Sequence, residues 1–200
     1  MKFTDLNRIS KLFFGTIDIA KELSITQESA RITAVRYTKK KLLIRLKRDL
    51  YILPSRFDKL KEEEIFHVAN ILQTPSYISL TTALSYYNIT TQQQRNYIES
   101  IGLKRTRTFE INQLNFSFSL IKKSLYTGFG LNDNYFIATP EKALADSIYL
   151  SSLKKYNCDF NAINFSKIKL KTVNEYLLKT NSHVLSYWKN ICRTYKIWKH

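Results

Sequence analysis

Apolar residues in the first quarter of the chain recur at helical spacing and then change to strand-like runs. Phe3, Leu6, Ile9, Leu12 and Phe13 predict a helix over Phe3–Phe14, with Thr4 or Asp5 as its cap and Gly15 as its end. Ile17, Ala20 and Leu23 line one face of a second, shorter helix. Ser24 and Ile25 form a turn in which Ile25 is the buried residue, and Thr26 is a good N-cap for a third helix from Gln27 to about Lys40. In that helix Ala30, Ala34 and Tyr37 form the inward stripe. Gln27, Glu28, Arg31 and Arg36 are left facing outward, with Ser29 and Thr33 near the edge. Leu42–Leu46 and Leu50–Leu53 are apolar and β-prone, and Lys47-Arg48-Asp49 between them reads as a short turn.

Helix, turn, helix and two-stranded hairpin over Thr16–Leu53 is the outline of a winged helix-turn-helix, a device for placing a helix in the DNA major groove. After it, Pro54 stops the second strand. Phe57–Gln73 predicts a connector helix whose Lys61-Glu62-Glu63-Glu64 run is a solvated face, and Pro75 marks a boundary near residue 74. The remainder alternates short strands and helices. Strand candidates are Tyr77–Ser79, Asn96–Ile101, Thr106–Glu110, Leu114–Leu120 and Tyr135–Ile137; helix candidates are Leu80–Tyr87, Val173–Lys179 and His183–Lys196. A further helix opens at Thr139, with Pro140 at its first position and Glu141 complementing its dipole; Lys142 at the third position rules out a capping box. The fold class expected is α+β: residues 1–74 a winged helix-turn-helix with its connector, and residues 75–200 a mixed α/β domain with a small antiparallel-type sheet and C-terminal helices.

Composition narrows the class. The chain has 200 residues, 44% of them hydrophobic, with only 4 Gly and 3 Pro, which fits a folded protein rather than a low-complexity one. Its formal charge of +16 is uneven. Residues 1–54 carry 12 Lys and Arg against 5 Asp and Glu, residues 55–154 carry 11 against 9, and residues 155–200 carry 9 against 2. Basic ends suit a polyanion such as nucleic acid; a Lys-, Ile- and Asn-rich chain encoded by an AT-rich genome is the competing explanation. Cys158 and Cys192 lack a CxxC partner, and His67, His183 and His200 have no ligand spacing to them, so neither a zinc site nor a disulfide framework is implied. Thr127-Gly128-Phe129-Gly130 reads as a glycine-containing loop, with neither phosphate-loop spacing nor a following Lys-Ser/Thr pair. No catalytic constellation, metal site or cofactor motif stands out, and the chain does not read as an enzyme. MKFTDLNRISK lacks an apolar signal core and no run approaches a membrane span, so a cytoplasmic protein with no membrane contact is expected.

The candidate DNA contacts are Thr26, Gln27, Ser29, Arg31, Arg36 and Lys40 on or beside the third helix, and Lys47 and Arg48 at the hairpin tip. Gln and Arg make paired hydrogen bonds to adenine and guanine edges, hydroxyls suit phosphates, and a basic tip reaches backbone or minor groove. A winged helix used for protein contacts is the alternative. Tyr187, Trp188, Tyr195 and Trp198 mix aromatic and basic character near the C-terminus, and packing accounts for them better than nucleic-acid binding.

The order of three segments resembles the antitoxins of AbiE-type (type IV) toxin–antitoxin and abortive-infection systems. Tyr77, Ile78, Ser79, Ala83, Leu84, Ile89, Thr90 and Gln92 match one motif of that family. Thr139, Pro140, Glu141, Lys142, Ala143, Leu144, Asp146 and Tyr149 match a second. Leu42, Leu43, Arg45, Leu46, Arg48, Leu50, Tyr51, Leu53 and Pro54 resemble its wing. The similarity covers roughly residues 15–150. Lys41 and Asp49 stand where the family pattern has glycines, and the last 45 or so residues match no motif of it. The resemblance implies an N-terminal domain that binds inverted repeats in its own promoter and represses it. It also implies a C-terminal domain that neutralises a co-encoded nucleotidyltransferase-like toxin, directly or functionally. The residues it points to there are Ser79, Gln92, Arg105, Arg107, Thr139, Glu141, Lys142 and Asp146. A general DNA-binding regulator without antitoxin activity is the runner-up.

Overall fold

A computed structural model describes residues 3–197 and shows a mixed α+β protein that divides between Val68 and Ala69 into two units. In the first unit, α1 (Thr16–Leu23) and α2 (Gln27–Lys39) are followed by the antiparallel hairpin β1 (Ile44–Lys47) and β2 (Leu50–Ile52), and by the short α3 (Pro54–Phe57). Leu6, Ile9, Phe14, Ile19, Leu23, Ala30, Ala34, Tyr37, Leu43, Tyr51 and Leu53 form one buried cluster. The two alanines let α1 and α2 approach closely, and Ile25 in the turn between them is half-buried against the cluster.

The start of the chain departs from its periodicity. The expected helix over Phe3–Phe14 is a single short 3-10 stretch, Phe3–Arg8. Phe14 is extended and exchanges two backbone hydrogen bonds with Tyr51, at 3.0 and 2.9 Å. The hairpin edge offers unpaired backbone groups, and burying the Phe14 ring beside them satisfies both demands at once. Gly15 therefore precedes α1 instead of ending a helix. A Cβ there would lie 3.3 Å from the Asp49 carbonyl oxygen, a tight approach to the hairpin turn that glycine accommodates without displacement. The Thr16 N–H donates to Asp49 Oδ1 at 2.8 Å, and the Gly15 N–H donates to Asp18 Oδ2 at 2.9 Å. Together they satisfy donors left open at the start of α1.

The expected connector helix is two pieces. Pro54 opens α3 instead of merely stopping a strand, and α4 (Glu62–Leu72) begins after a break. Glu62, Glu63 and Glu64 occupy the first turn of α4, where negative charge complements the helix dipole. The division at Val68 and Ala69 falls within α4, ahead of the residue 74 suggested by Pro75.

The second unit is built on six strands: β3 (Ser76–Ile78), β4 (Tyr97–Gly102), β5 (Arg107–Ile111), β6 (Leu114–Leu120), β7 (Phe129–Asn132) and β8 (Tyr135–Ala138). Their order is β5-β6-β4-β3-β8-β7. Three neighbouring pairs are antiparallel, but β4 with β6 and β3 with β8 are parallel, so the sheet is mixed and larger than the small antiparallel one expected. Hairpins explain the β5–β6 and β7–β8 pairs locally, whereas β3 and β4 are antiparallel neighbours joined through α5. The parallel pairs arise because β6 inserts between β5 and β4 and β8 between β3 and β7, which no local pattern announces. The segment beginning Phe129-Gly130, read as a loop, is the edge strand β7.

Against this sheet lie α5 (Leu80–Tyr86) and α6 (Pro140–Ser152), while α7 (Leu170–Leu177) and α8 (Ser182–Thr194) pack on α6, which touches each of the other three helices. Every residue of α6 from Lys142 to Ser152 is buried, the signature of a helix packed on all sides. Thr139 caps it, accepting the Lys142 N–H at 3.3 Å, with Pro140 at the first position. Near the C-terminus Trp188 is buried and donates to Asn174 Oδ1 at 2.6 Å, while Tyr187 and Tyr195 pack on Phe160. Trp198 lies outside the described residues. Among the described residues, no helix is long and apolar enough to cross a membrane.

Lys41 and Asp49 have φ of 57° and 55°, the left-handed region that disfavours a Cβ. Lys41→Gly is expected to raise stability by about 0.5–1 kcal/mol, because relief of strain exceeds the added unfolded-state entropy. Asp49→Gly is expected to lower it by about 1 kcal/mol, because the same relief is outweighed by loss of the bond to Thr16. Thermal unfolding of the two variants checks the opposite signs.

Candidate nucleic-acid interface

The outward surface of the first unit is built from α2 and the hairpin. Thr26 accepts the Ser29 N–H at 3.2 Å and its hydroxyl donates to Ser29 Oγ at 3.0 Å, so both hydroxyls are occupied in starting the helix. At about 100° per residue, the buried stripe of Ala30, Thr33, Ala34 and Tyr37 leaves Glu28, Arg31, Ile32, Val35, Arg36 and Lys39 facing solvent. Thr33, placed near the edge on sequence grounds, is inside. Arg31 and Arg48 meet across an open cleft of about 430 Å³ that is also lined by Thr16, Val35, Arg45, Asp49 and Tyr51.

Three guanidinium-bearing side chains thus line one concavity with a single carboxylate. The Thr16 hydroxyl and N–H beside Asp49, helped by Arg31 and Arg48, hold its carboxyl below its ordinary value. Asp49 is therefore ionised at neutral pH and partly offsets the repulsion among the arginines. Arg31 also lies 3.4 Å from Glu28, an exposed pair worth little in water. Such a surface holds positive charge in a geometry that suits phosphate oxygens or guanine edges.

The other candidates sit apart from the cleft. Gln27 is exposed at the first position of α2 and Lys40 at its C-cap. Arg36 lies on the far flank of α2, its guanidinium 5.5 Å from the Tyr37 ring centre. Lys47 is exposed at the end of β1, and the Arg45 Nε donates to its carbonyl oxygen at 3.3 Å. Residue-type reasoning missed Ile32 and Val35, which stay 63% and 50% exposed at the centre of the outward face. The same helical count that gave the inward stripe places them opposite it.

In the second unit, Ser79, Lys142 and Asp146 converge. The Lys142 ammonium lies 2.5 Å from Asp146 Oδ1, and the Ser79 and Tyr77 hydroxyls each donate to Oδ2 at 2.9 Å. Burial pushes the Asp146 carboxyl up from its ordinary value, opposed by Lys142, Ser79 and Tyr77. Gly128, at φ 79°, passes so close that a Cβ would meet the Tyr176 hydroxyl at 2.6 Å. With Lys142 at 3% and Asp146 at 2% exposure, this cluster is framework and presents no surface to a partner.

The remaining motif residues are dispersed. Thr139 caps α6, and Glu141 accepts the Lys169 N–H at 3.4 Å. Gln92 donates to Asp159 Oδ2 at 3.1 Å. The Arg105 carbonyl accepts from Gln73 at 3.0 Å, and the Arg107 guanidinium stacks 4.2 Å from the Phe109 ring centre. A second buried carboxyl, Glu99, accepts the Thr81 N–H at 3.0 Å and the Tyr156 hydroxyl at 3.1 Å; burial raises it above its ordinary value. Among the described residues no group of His, Cys, Asp and Glu is arranged to hold a metal.

The chain matches no protein-family profile, and no curated protein is significantly similar to it.

Removing one partner of the buried pair isolates its role. Lys142→Met is expected to destabilise the protein by about 3–5 kcal/mol, since it strands a buried carboxylate. Without the ammonium, the folded-state pKa of Asp146 rises further above its unfolded value, so folding favours the protonated form. The deficit relative to wild type should shrink as pH falls and widen as it rises. Adding Asp146→Asn, which removes the charge and keeps an acceptor for Tyr77 and Ser79, should recover much of the loss. Urea titrations at pH 5 and pH 8 measure both effects.

Proposed function

We propose that the chain is a DNA-binding autorepressor whose first unit is a winged helix-turn-helix, and that it serves as the antitoxin of an AbiE-like system. The observation that carries the DNA reading is the cleft in which Arg31 of α2 faces Arg45 and Arg48 of the hairpin. In this reading α2 enters the major groove, the hairpin is the wing, and Lys47 and Arg48 lie against the phosphate backbone. The Thr26 cap leaves the N-terminus of α2 exposed, where backbone N–H groups favour a phosphate. The preferred target is an inverted repeat in the chain's own promoter.

The antitoxin half rests on the resemblance of the Tyr77–Gln92 and Thr139–Tyr149 segments. Its support is that Tyr77 and Ser79 of the first motif meet Lys142 and Asp146 of the second around one carboxylate. Two motifs that share a buried network belong to one folding unit. The toxin is then met, directly or functionally, by other groups on that unit, and the chain itself performs no catalysis.

Gel-shift titration on upstream DNA tests the first half. Arg31→Ala should relax discrimination between bases, at a loss of about 1–3 kcal/mol on the preferred site. Arg48→Ala should weaken binding more evenly across sequences and lower the salt dependence by roughly one phosphate contact. Equal affinity for upstream and random duplex would remove the repressor function. Co-expression tests the second half. Full-length protein and its Arg31→Ala variant should both restore growth against an adjacent nucleotidyltransferase-like toxin, and growth that stays arrested with both removes the antitoxin function.

A further inference from the structure

We propose that Ile32 and Val35 read thymine methyl groups, so that an apolar strip, rather than the flanking polar side chains, sets much of the sequence preference of this face. The inference rests on the reading of α2 as the helix that enters the major groove. Ile32 and Val35 stand three residues apart on α2, one turn from each other and opposite the buried stripe. A 63% exposed isoleucine beside a 50% exposed valine leaves apolar surface in water that a surface helix normally covers with polar residues.

The surroundings select the occupant. Arg31 flanks the strip on one side and Arg36 on the other, with Lys39 a turn beyond Val35. Val35 also lines the cleft with Arg31, Arg45 and Arg48. A strip of methyls between rows of fixed positive charge complements a surface that is apolar in the middle and anionic along both edges. The major groove of duplex DNA has that profile wherever thymine C5-methyls face outward between the two phosphate chains. Both side chains are β-branched and stiff about χ1, so little conformational freedom is lost when their methyls meet a partner. Glu28, on the same face and 3.4 Å from Arg31, is repelled by phosphates, and the DNA donor that suits it is a base-edge group such as the cytosine amino group. The face thus points at base edges.

The test uses the full chain and the duplex it enriches from a random pool. Each thymine of that duplex is replaced in turn by deoxyuridine, which removes one methyl and keeps the hydrogen-bonding edge. At one or two positions wild type should lose roughly three- to fivefold in affinity, the amount expected for uncovering a methyl group. The Ile32→Ala, Val35→Ala double variant should bind more weakly from the start and lose nothing further at those positions, with an unchanged unfolding midpoint. An enriched sequence that tolerates deoxyuridine everywhere, or equal losses in wild type and variant, overturns this inference and leaves the proposed DNA function standing. A pool that enriches no sequence overturns both. Backbone amide signals of Ile32 and Val35 that stay unshifted on adding the enriched duplex overturn the inference in favour of a protein docking on this strip.

Discussion

A single carboxylate holds the first unit in the shape its function would need. Asp49 occupies the left-handed corner of the hairpin turn and accepts the first N–H of α1. That bond fixes the hairpin tip beside the helix pair, and glycine at position 15 lets the tip approach closely. Everything cationic in the cleft depends on this tie. Arg31, Arg45 and Arg48 repel one another, and no force among them would bring them together. The apolar cluster beneath and the Asp49–Thr16 bond hold them in place, and the Asp49 charge tempers their repulsion. A surface assembled against its own electrostatics is poised to gain when a polyanion arrives.

The second unit places its charge inside. Asp146 and Lys142 sit one turn apart on a helix buried on every side, and the carboxylate collects donors from β3 and from the start of α5. Such a pair is not a strong source of stability, because withdrawing two charges from water costs about as much as their attraction returns. What it does supply is direction. A carboxylate with specific donors accepts few alternative packings, so the sheet, α5 and α6 are locked in one register. This accounts for the position of the motif residues in the interior, and it moves any partner-binding role onto the surface of the unit.

Features governed by neighbours in sequence were readable from the chain alone. The caps at Thr26 and Thr139, Pro140 at a first helical position, and the alternation Leu114, Phe116, Phe118 along β6 follow from local sterics and hydrogen bonding. Features governed by distant partners were not. Phe3–Phe14 has helical spacing, but the hairpin edge offers Phe14 two hydrogen bonds that a helix does not, and the extended form is adopted. The parallel pairing of β4 with β6 depends on where β5 turns, which leaves no mark on the apolar pattern. The convergence of Ser79 with Asp146 bridges 67 residues of sequence and was legible only as two unconnected motifs.

Ile32 and Val35 were overlooked for a different reason, and it bears on how such helices should be read. The polar side chains opposite Ala30, Ala34 and Tyr37 advertise hydrogen bonding by their residue type, whereas an exposed methyl group carries no such signal. A helix of this kind has two apolar questions to answer: what its inner stripe packs against, and why any apolar residue remains outside it. The first is answered by α1 and the hairpin. The second has no answer within the unit, since Ile32 and Val35 contribute nothing to its core. In the proposed DNA reading, their placement between cations makes solvent exposure a property of the unbound state, relieved by a partner that is apolar at the centre and anionic at the margins.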